Sequence, residues 1–350
     1  MREDAAPTPT CDAPLAGRLD ELSEGDVRSP HERFQRAQAR MALGRDAAAR
    51  EDLEALVDPW GDAALVELAY LDLRERGELS RTIETAKGIA DRAGEDVLLR
   101  ARALHVLGMA LGRSGEKAEA MSVLLKAAGL YDEAGHDVAR AHVFDTLGTV
   151  NATLGRLDLA AHHYAMSVVD KALLGDRRGL AVTIGNLGRL QLRAGRFREA
   201  IHYFERGQML AEELGDARAT ARLHVDLGRA YAGLGELEES AAHFGAGLER
   251  ARSGGFLAVE FHALLDRAAL HLRRGETPAA REDLDAARRL ELGDPSAYRD
   301  ALLDAAHGAL LLAESDERGI DVLRRAVGAL SAANEPGPAI RARIRLAKAY

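Results

Sequence analysis

Residues 181–220 read AVTIGNLGRLQLRAGRFREAIHYFERGQMLAEELGDARAT, and the spacing within this stretch decides the fold. Ile184, Leu187, Gly188 and Gln191 keep the three-and-four interval of one helix face. A turn follows at Ala194-Gly195-Arg196, and Ala200, Phe204 and Gly207 resume the interval on a second helix before Leu214-Gly215-Asp216 closes the unit. Glycine suits such a turn because the left-handed conformation that ends many helices costs it little.

The same unit recurs on both sides. Glycine pairs seven residues apart stand at Gly108 and Gly115, Gly148 and Gly155, Gly188 and Gly195, and Gly228 and Gly235, a period of forty. A fixed period of this size marks stacked supersecondary units that share a core with their neighbours. Gly148, Gly188 and Gly228, with Ala120, Ala160, Ala200 and Ala280, allow close helix approach, while Leu124, Tyr164, Phe204, Phe244 and Leu284 fill the space beside them. Turn glycines at Gly44, Gly77 and Gly275 and the turn-like Glu314-Ser315-Asp316 extend the series to about eight helix pairs over residues 30–350. Ala268 replaces the next series glycine and Arg267 an expected leucine, which predicts a distorted seventh unit.

Composition agrees with helices: 47% of residues are hydrophobic but only 4% aromatic, with Ala, Leu, Arg and Glu dominant. Residues 1–29 contain clustered Pro and Asp and are expected to form a loose tail with a short helix at Leu15 to Leu22. The pairs Ser29-Pro30, Asp58-Pro59, Thr277-Pro278 and Asp294-Pro295 each predict a helix start, a capping side chain followed by proline at the first helical position.

The net charge of −9 argues against a general nucleic-acid binder, which needs a basic face. The single cysteine, Cys11, can build neither a disulfide framework nor a cysteine-based zinc site, which points to a reducing cytoplasm. No apolar run of membrane-spanning length occurs, and the charged, Pro-rich start MREDAAPTPT lacks the apolar stretch of a secretory signal, so the chain is expected to be soluble and unexported. Twelve histidines include His162-His163, His202 and His243, yet these occupy nearly equivalent positions on successive second helices and no His-Glu-x-x-His occurs. No phosphate loop and no activated nucleophile can be identified, so no metal, cofactor or catalysis is expected.

These residues resemble the tetratricopeptide repeat, a helix-turn-helix unit with Leu-Gly in its first helix and Ala, then Phe or Tyr, in its second. Leu187, Gly188, Ala200 and Phe204 match it, as do Leu227, Gly228, Tyr231 and Phe244, and Leu147, Gly148, Ala160 and Tyr164. The forty-residue form, with Gly175-Asp176 and Gly215-Asp216 between units, is similar to spindle-orientation adaptors, maltose-regulator-type activators and bacterial signalling proteins. The resemblance implies an all-α fold, a right-handed superhelical solenoid of antiparallel helix pairs, acting as a protein interaction scaffold or sensor. The alternatives are a freestanding adaptor and an enzyme-regulating or hydrolytic module.

The resemblance also implies that first helices line a concave groove. Carried onto this chain, the lining is Arg102, His105, His142, Asp145, Asn186, Arg189, Arg193, Arg222, Asp226, Arg229, His262, Asp266 and Arg273. Its arginine-rich middle suits bidentate carboxylate recognition, so an acidic peptide or helix is the expected ligand. On this reading Arg189, Arg193 and Arg229 are exposed, and reversing their charge should alter stability by only about 0.5 kcal/mol each. The alternative treats the arginines as a solvated helix face carrying weak ion pairs.

Leu346-Ala347-Lys348-Ala349-Tyr350 echoes Leu227-Gly228-Arg229-Ala230-Tyr231 from the centre of a first helix. Ile340, Ile344, Ala347 and Tyr350 would form an apolar stripe on an unpaired last helix. The expectation is a longer protein with further repeats or an effector domain; the alternatives are a lone capping helix or dimerisation through Tyr350.

Overall fold

A computed structural model describes residues 19–27, 29–75, 79–290, 297–332, 339, 342–343 and 346–347. The predicted helix start at Asp294-Pro295, Gly77 and most of the last-helix stripe lie outside these residues. Among the described residues all regular structure is helical, packed as consecutive helix pairs. In chain order the helices are α1 (Leu19–Glu24), α2 (Pro30–Ala42), α3 (Asp46–Glu54), α4 (Val57–Trp60), α5 (Asp62–Glu75) and α6 (Leu79–Arg92). They continue as α7 (Val97–Ser114), α8 (Lys117–Glu133), α9 (Asp137–Thr153), α10 (Leu157–Leu174), α11 (Arg177–Arg193) and α12 (Phe197–Glu213). The last six are α13 (Ala217–Leu234), α14 (Leu237–Ser253), α15 (Leu257–Arg274), α16 (Thr277–Arg289), α17 (Ala297–Ala313) and α18 (Arg318–Ala332).

The chain divides into two compact units, residues 1–183 and 184–350, with the boundary inside α11. The sequence treats this region as one domain; in a linear array each pair touches only its neighbours, so no single core unites it. The first unit holds separate cores around Phe34 and Trp60, around Ile89 and Leu111, and around Leu124, Tyr131 and Leu147. The second holds cores around Phe204 and Leu227, Phe244 and Leu264, Leu284 and Leu310, and Ala326 and Leu330.

The turns obey a period of twenty, half the sequence repeat. Gly115, Gly135, Gly155, Gly175, Gly195, Gly215, Gly235, Gly255 and Gly275 all have φ between 64° and 98°. Ser315 takes the next odd place of this series at φ 64°, the one non-glycine in that region among the described residues. Inside the helices the series glycines serve packing: a Cβ on Gly108 would lie 2.5 Å from Leu124, on Gly148 2.6 Å from Tyr164, and on Gly228 2.6 Å from Phe244.

Several expectations need correction. Residues 19–25, assigned by composition to the tail, are tied to α2 and α3: Arg40 Nε donates to the Ser23 carbonyl at 3.1 Å and Arg36 Nη1 to that of Gly25 at 3.0 Å. Ser29 does cap α2, accepting from Glu32 N–H at 3.2 Å. Asp58-Pro59 instead lies within α4, which starts at Val57, and Thr277 is the first residue of α16 with Glu276 before it. The first helix of the seventh pair is not distorted at Arg267 and Ala268, although α16 has 13 residues where α14 has 17. Helix α15 runs unbroken through Ala268, which is buried, and Arg267 reaches across to Asp283 on α16 with two bonds of 2.9 and 2.6 Å.

Candidate functional site

The predicted groove residues fall into three groups: polar clusters closed within the first unit, a charge ladder in the second, and a few side chains that remain open to solvent.

In the first unit Arg102 is buried and makes a bidentate pair with Glu67 at 2.8 and 2.7 Å, its guanidinium 4.7 Å from the Tyr70 ring centre. Thr146 donates its hydroxyl to the His142 carbonyl at 3.2 Å, so it accepts from His105 Nε2 at 2.9 Å. Burial, then the nearby Arg102, hold His105 well below the ordinary imidazole range. Asp145 receives Lys171, a lysine with 0% exposure, and the Thr183 hydroxyl at 2.9 Å. His142 Nε2 lies 3.1 Å from Asp176. Burial raises the Asp176 carboxyl, but His142, the Gly179 N–H and Lys171 together bring it below the usual range.

In the second unit the ladder links equivalent helices. Arg189 Nη1 on α11 donates to Asp226 Oδ2 on α13 at 2.8 Å, and Arg229 Nη1 donates to Asp226 Oδ1 at 2.9 Å. Arg229 Nε continues to Asp266 Oδ2 on α15 at 2.6 Å. Asp226 is only 1% exposed; burial would raise its carboxyl, but Arg189, Arg229 and Arg222 hold it below the usual range. Burial lowers the Arg229 pKa less than Asp266 and Asp226 raise it, so the guanidinium stays firmly charged. Asn186 Oδ1 accepts from Arg189, and Arg273 Nη1 donates to the Ala232 carbonyl at 2.6 Å. Arg229, Asp266 and Arg273 share a small recess of about 220 Å3 floored by Phe244 and Leu270.

The expectation that Arg189, Arg193 and Arg229 form a free cationic face does not hold: Arg189 and Arg229 are ion-paired, and Arg193, though exposed, also has an interaction of its own. The residues missed from sequence were Glu67, Lys171, Asp176 and Thr183, the acceptors and donors that close the first-unit clusters. One signal was available: acid follows arginine by 37 residues at both Arg189 to Asp226 and Arg229 to Asp266.

Arg222 differs from its neighbours. It is exposed, and among the described residues it has no hydrogen-bond or ion-pair partner. The Arg189 guanidinium, and after it the protein packed round the site, push Arg222 down to about 10. His262, the residue forty places on and also exposed, is held below its ordinary value by its surroundings and then by Arg229. The second unit thus offers an exposed arginine on α13, which feels the Asp226 and Asp216 charges without a direct bond to either, and an exposed imidazole on α15.

The histidines form pairs. His224 Nδ1 lies 3.1 Å from His243 Nδ1, whose ring stacks on Tyr231 at 5.2 Å. Burial, then Arg250 and His243, push His224 down to about 4. Among the described residues no group of three or more His, Cys, Asp or Glu could hold a metal ion. Depressed histidines give a pH dependence with a definite sign. An unfolded imidazole titrates near about 6.5, so below that pH the unfolded chain takes up protons that the fold refuses. Stability is complete above pH about 6.5 and declines towards pH 4. Urea midpoints measured from pH 8 to pH 4.5 should fall over that window, and His224→Gln should flatten the fall; equal slopes would remove His224 from this account.

Comparison with known proteins agrees with this architecture. The family model for the tetratricopeptide repeat matches residues 101–133, which span α7 and α8. Among curated proteins, none matches the sequence. A crystal structure of a Rap protein complexed with Competence and Sporulation Factor superposes with a TM-score of 0.66 at 13% identity, covering 96% of this chain and 97% of that one. The Rap conjugation gene regulator of plasmid pLS20, in complex with the Phr* peptide, gives 0.63 at 14% identity, with 95% and 99% coverage. A STAND signal transduction ATPase with a tetratricopeptide repeat sensor from Pyrococcus horikoshii gives 0.57 at 14% identity; the match covers 96% of this chain and 52% of that protein. These similarities show an all-α fold of consecutive helix pairs, with a tetratricopeptide repeat at residues 101–133. Among the described residues no helix is long and apolar enough to cross a membrane.

Proposed function

We propose that this chain is a non-catalytic binding scaffold that receives an anionic group of a peptide or protein on Arg222. The observation that carries this reading is the unpaired, exposed guanidinium of Arg222 in a neighbourhood where Arg189 and Arg229 are already neutralised. An arginine held beside another arginine gains from any further carboxylate that approaches it, and a bidentate carboxylate suits its fork. His262 and Asn186 would add neutral hydrogen bonds for a peptide backbone. The neighbouring folds support a peptide as ligand, since the Rap conjugation gene regulator is seen in complex with the Phr* peptide. The sensor role named for the Pyrococcus protein supports a regulatory use, in which ligand binding controls a fused or partner domain in the cytoplasm.

The test uses an array of acidic hexapeptides with free carboxyl termini. Peptides that bind should lose about tenfold or more in affinity with Arg222→Ala, since a charge-assisted hydrogen bond contributes about 1.5–3 kcal/mol. Arg206→Ala, an exposed change on α12, should leave them unaffected. Binding that ignores Arg222→Ala, or an array without any binder, would discard the reading.

A further inference from the structure

Helix α10 carries an exposed apolar seam that its sister helices lack. Leu159, His162, Met166, Val169 and Leu173 follow a three-four-three-four spacing, the a/d interval of a coiled-coil seam. Leu159 is 47% exposed, Val169 55% and Leu173 81%. The fold does not require this. Forty residues before or after, the place of Leu159 is taken by Glu119 and Glu199, and that of Leu173 by Glu133 and Glu213. The seam residues His162, Met166 and Val169 line one side of an open groove of about 740 Å3 between α8, α9 and α10, whose other walls include Ala128 and Phe144 with Asp132 and Arg140. A Cβ at Gly129 on its wall would meet nothing within 4 Å, so that wall is free to receive a side chain.

Reversed about Met166, the seam matches itself at its two ends and its centre, while Val169 falls opposite His163 of the second copy. A two-fold axis through Met166 sets Leu159 against Leu173 of a second copy, because each stands seven residues from Met166. The same axis sets His162 beside Asp170 of the second copy, each four residues from Met166, and so pairs the one polar seam position with a carboxylate. Asp170 is half-buried and its Arg140 contact is long, at 3.4 Å, which leaves it able to accept from a second donor. From Leu159 to Leu173 the seam runs about 21 Å at 1.5 Å per residue. A closed two-fold contact of this kind is isologous and needs no other partner.

We propose that two copies of this chain associate through α10, antiparallel about Met166, with apolar side chains of each copy entering the groove beside the other's seam. This surface uses residues of α10 in the first unit and none of those assigned to ligand binding, so ligand binding and association can be tested by different substitutions.

Sedimentation velocity on the full chain should show a mass of twice 37.6 kDa, at concentrations raised to about 100 μM because association depends on protomer concentration. Leu159→Glu with Leu173→Glu, the residues of the sister helices, should return it to one chain with unchanged helical content and melting. In a Cys11→Ser background, Met166→Cys should form a disulfide-linked dimer on mild oxidation, whereas Leu125→Cys, exposed on α8, should not. A single-chain mass for the unaltered protein at every concentration overturns the proposal, as does a dimer that survives both glutamates. A dimer abolished by the glutamates but not linked through Met166→Cys overturns the antiparallel register.

Discussion

Gly188→Leu lowers the stability of the fold by about 3 kcal/mol, at the upper end of the usual overpacking cost. A Cβ at Gly188 would stand 2.5 Å from Phe204 Cε1 and 2.6 Å from Cδ1, and Phe204 is itself fully buried between α12 and its neighbours. The ring cannot retreat, because Ala200, Ala211 and Leu223 share its core. Even alanine should be unfavourable there, although it is ordinarily better than glycine in a helix by about 0.5–1 kcal/mol. A double-mutant cycle isolates the cause. Phe204→Ala alone should cost about 3–5 kcal/mol through the cavity it leaves, and adding Gly188→Ala in that background should recover stability instead of losing more. Denaturant melts of the four chains give the coupling; additive losses would show that Gly188 and Phe204 do not constrain one another. Because a linear array need not unfold in one step, the melts are to be followed by two probes.

That pair shows why the fold was readable from sequence. Small and large residues at a constant offset of sixteen, such as Gly148 with Tyr164 and Gly228 with Phe244, report a contact that recurs in four successive units from Gly108 to Phe244 and so appears as periodicity. The even-numbered half of the turn series, from Gly135 to Gly255, was equally present but only partly recognised, since its context varies from unit to unit. The ends of the series were less legible. Asp58-Pro59 reads as a helix start, yet α4 begins before it at Val57, so local capping signals were displaced by packing of the short helix around Trp60.

The sequence named the candidate positions but not the state of their side chains. Thirteen positions taken from the family's pattern do bring charge onto first helices, but periodicity cannot tell whether a given arginine faces solvent or an acid on the next helix. Arg102 and Arg222 occupy equivalent positions, eighty plus forty residues apart, and one is closed against Glu67 while the other is open. The difference is made by a glutamate thirty-five residues upstream on α5, where the regular repeat has already broken down. Lys171 was invisible for a related reason: an isolated lysine on a second helix reads as surface, and only the convergence of Asp145, Thr183 and the Gly179 carbonyl keeps it buried.

The ladder implies a second large effect. Asp226→Ala should cost about 3 kcal/mol, the low end for removing one partner of a buried ion pair. The low end applies because Arg189 and Arg229 are about a third exposed and can turn towards water, whereas the carboxylate they share is almost wholly buried. Asp226→Asn keeps the shape and one acceptor, and should cost about 2 kcal/mol. The two variants then separate packing from charge through pH. The arginines hold the Asp226 carboxyl below its unfolded value, so its stabilising contribution is complete above pH about 4 and declines as the pH falls towards the folded value. The gap between the natural chain and Asp226→Asn should therefore be constant from pH 7 to 5 and shrink by about 1.4 kcal/mol per pH unit below about 4. Urea titrations at pH 7, 5 and 3 measure it, and a gap undiminished at pH 3 would mean that shape rather than charge accounts for Asp226. The same substitution makes a separate forecast for the ligand. Removing the internal counterion leaves Arg189, Arg222 and Arg229 with one carboxylate fewer among them, so an acidic peptide that docks on Arg222 should bind Asp226→Asn more tightly while that variant remains folded; weaker binding would instead make Asp226 part of the surface that the peptide contacts.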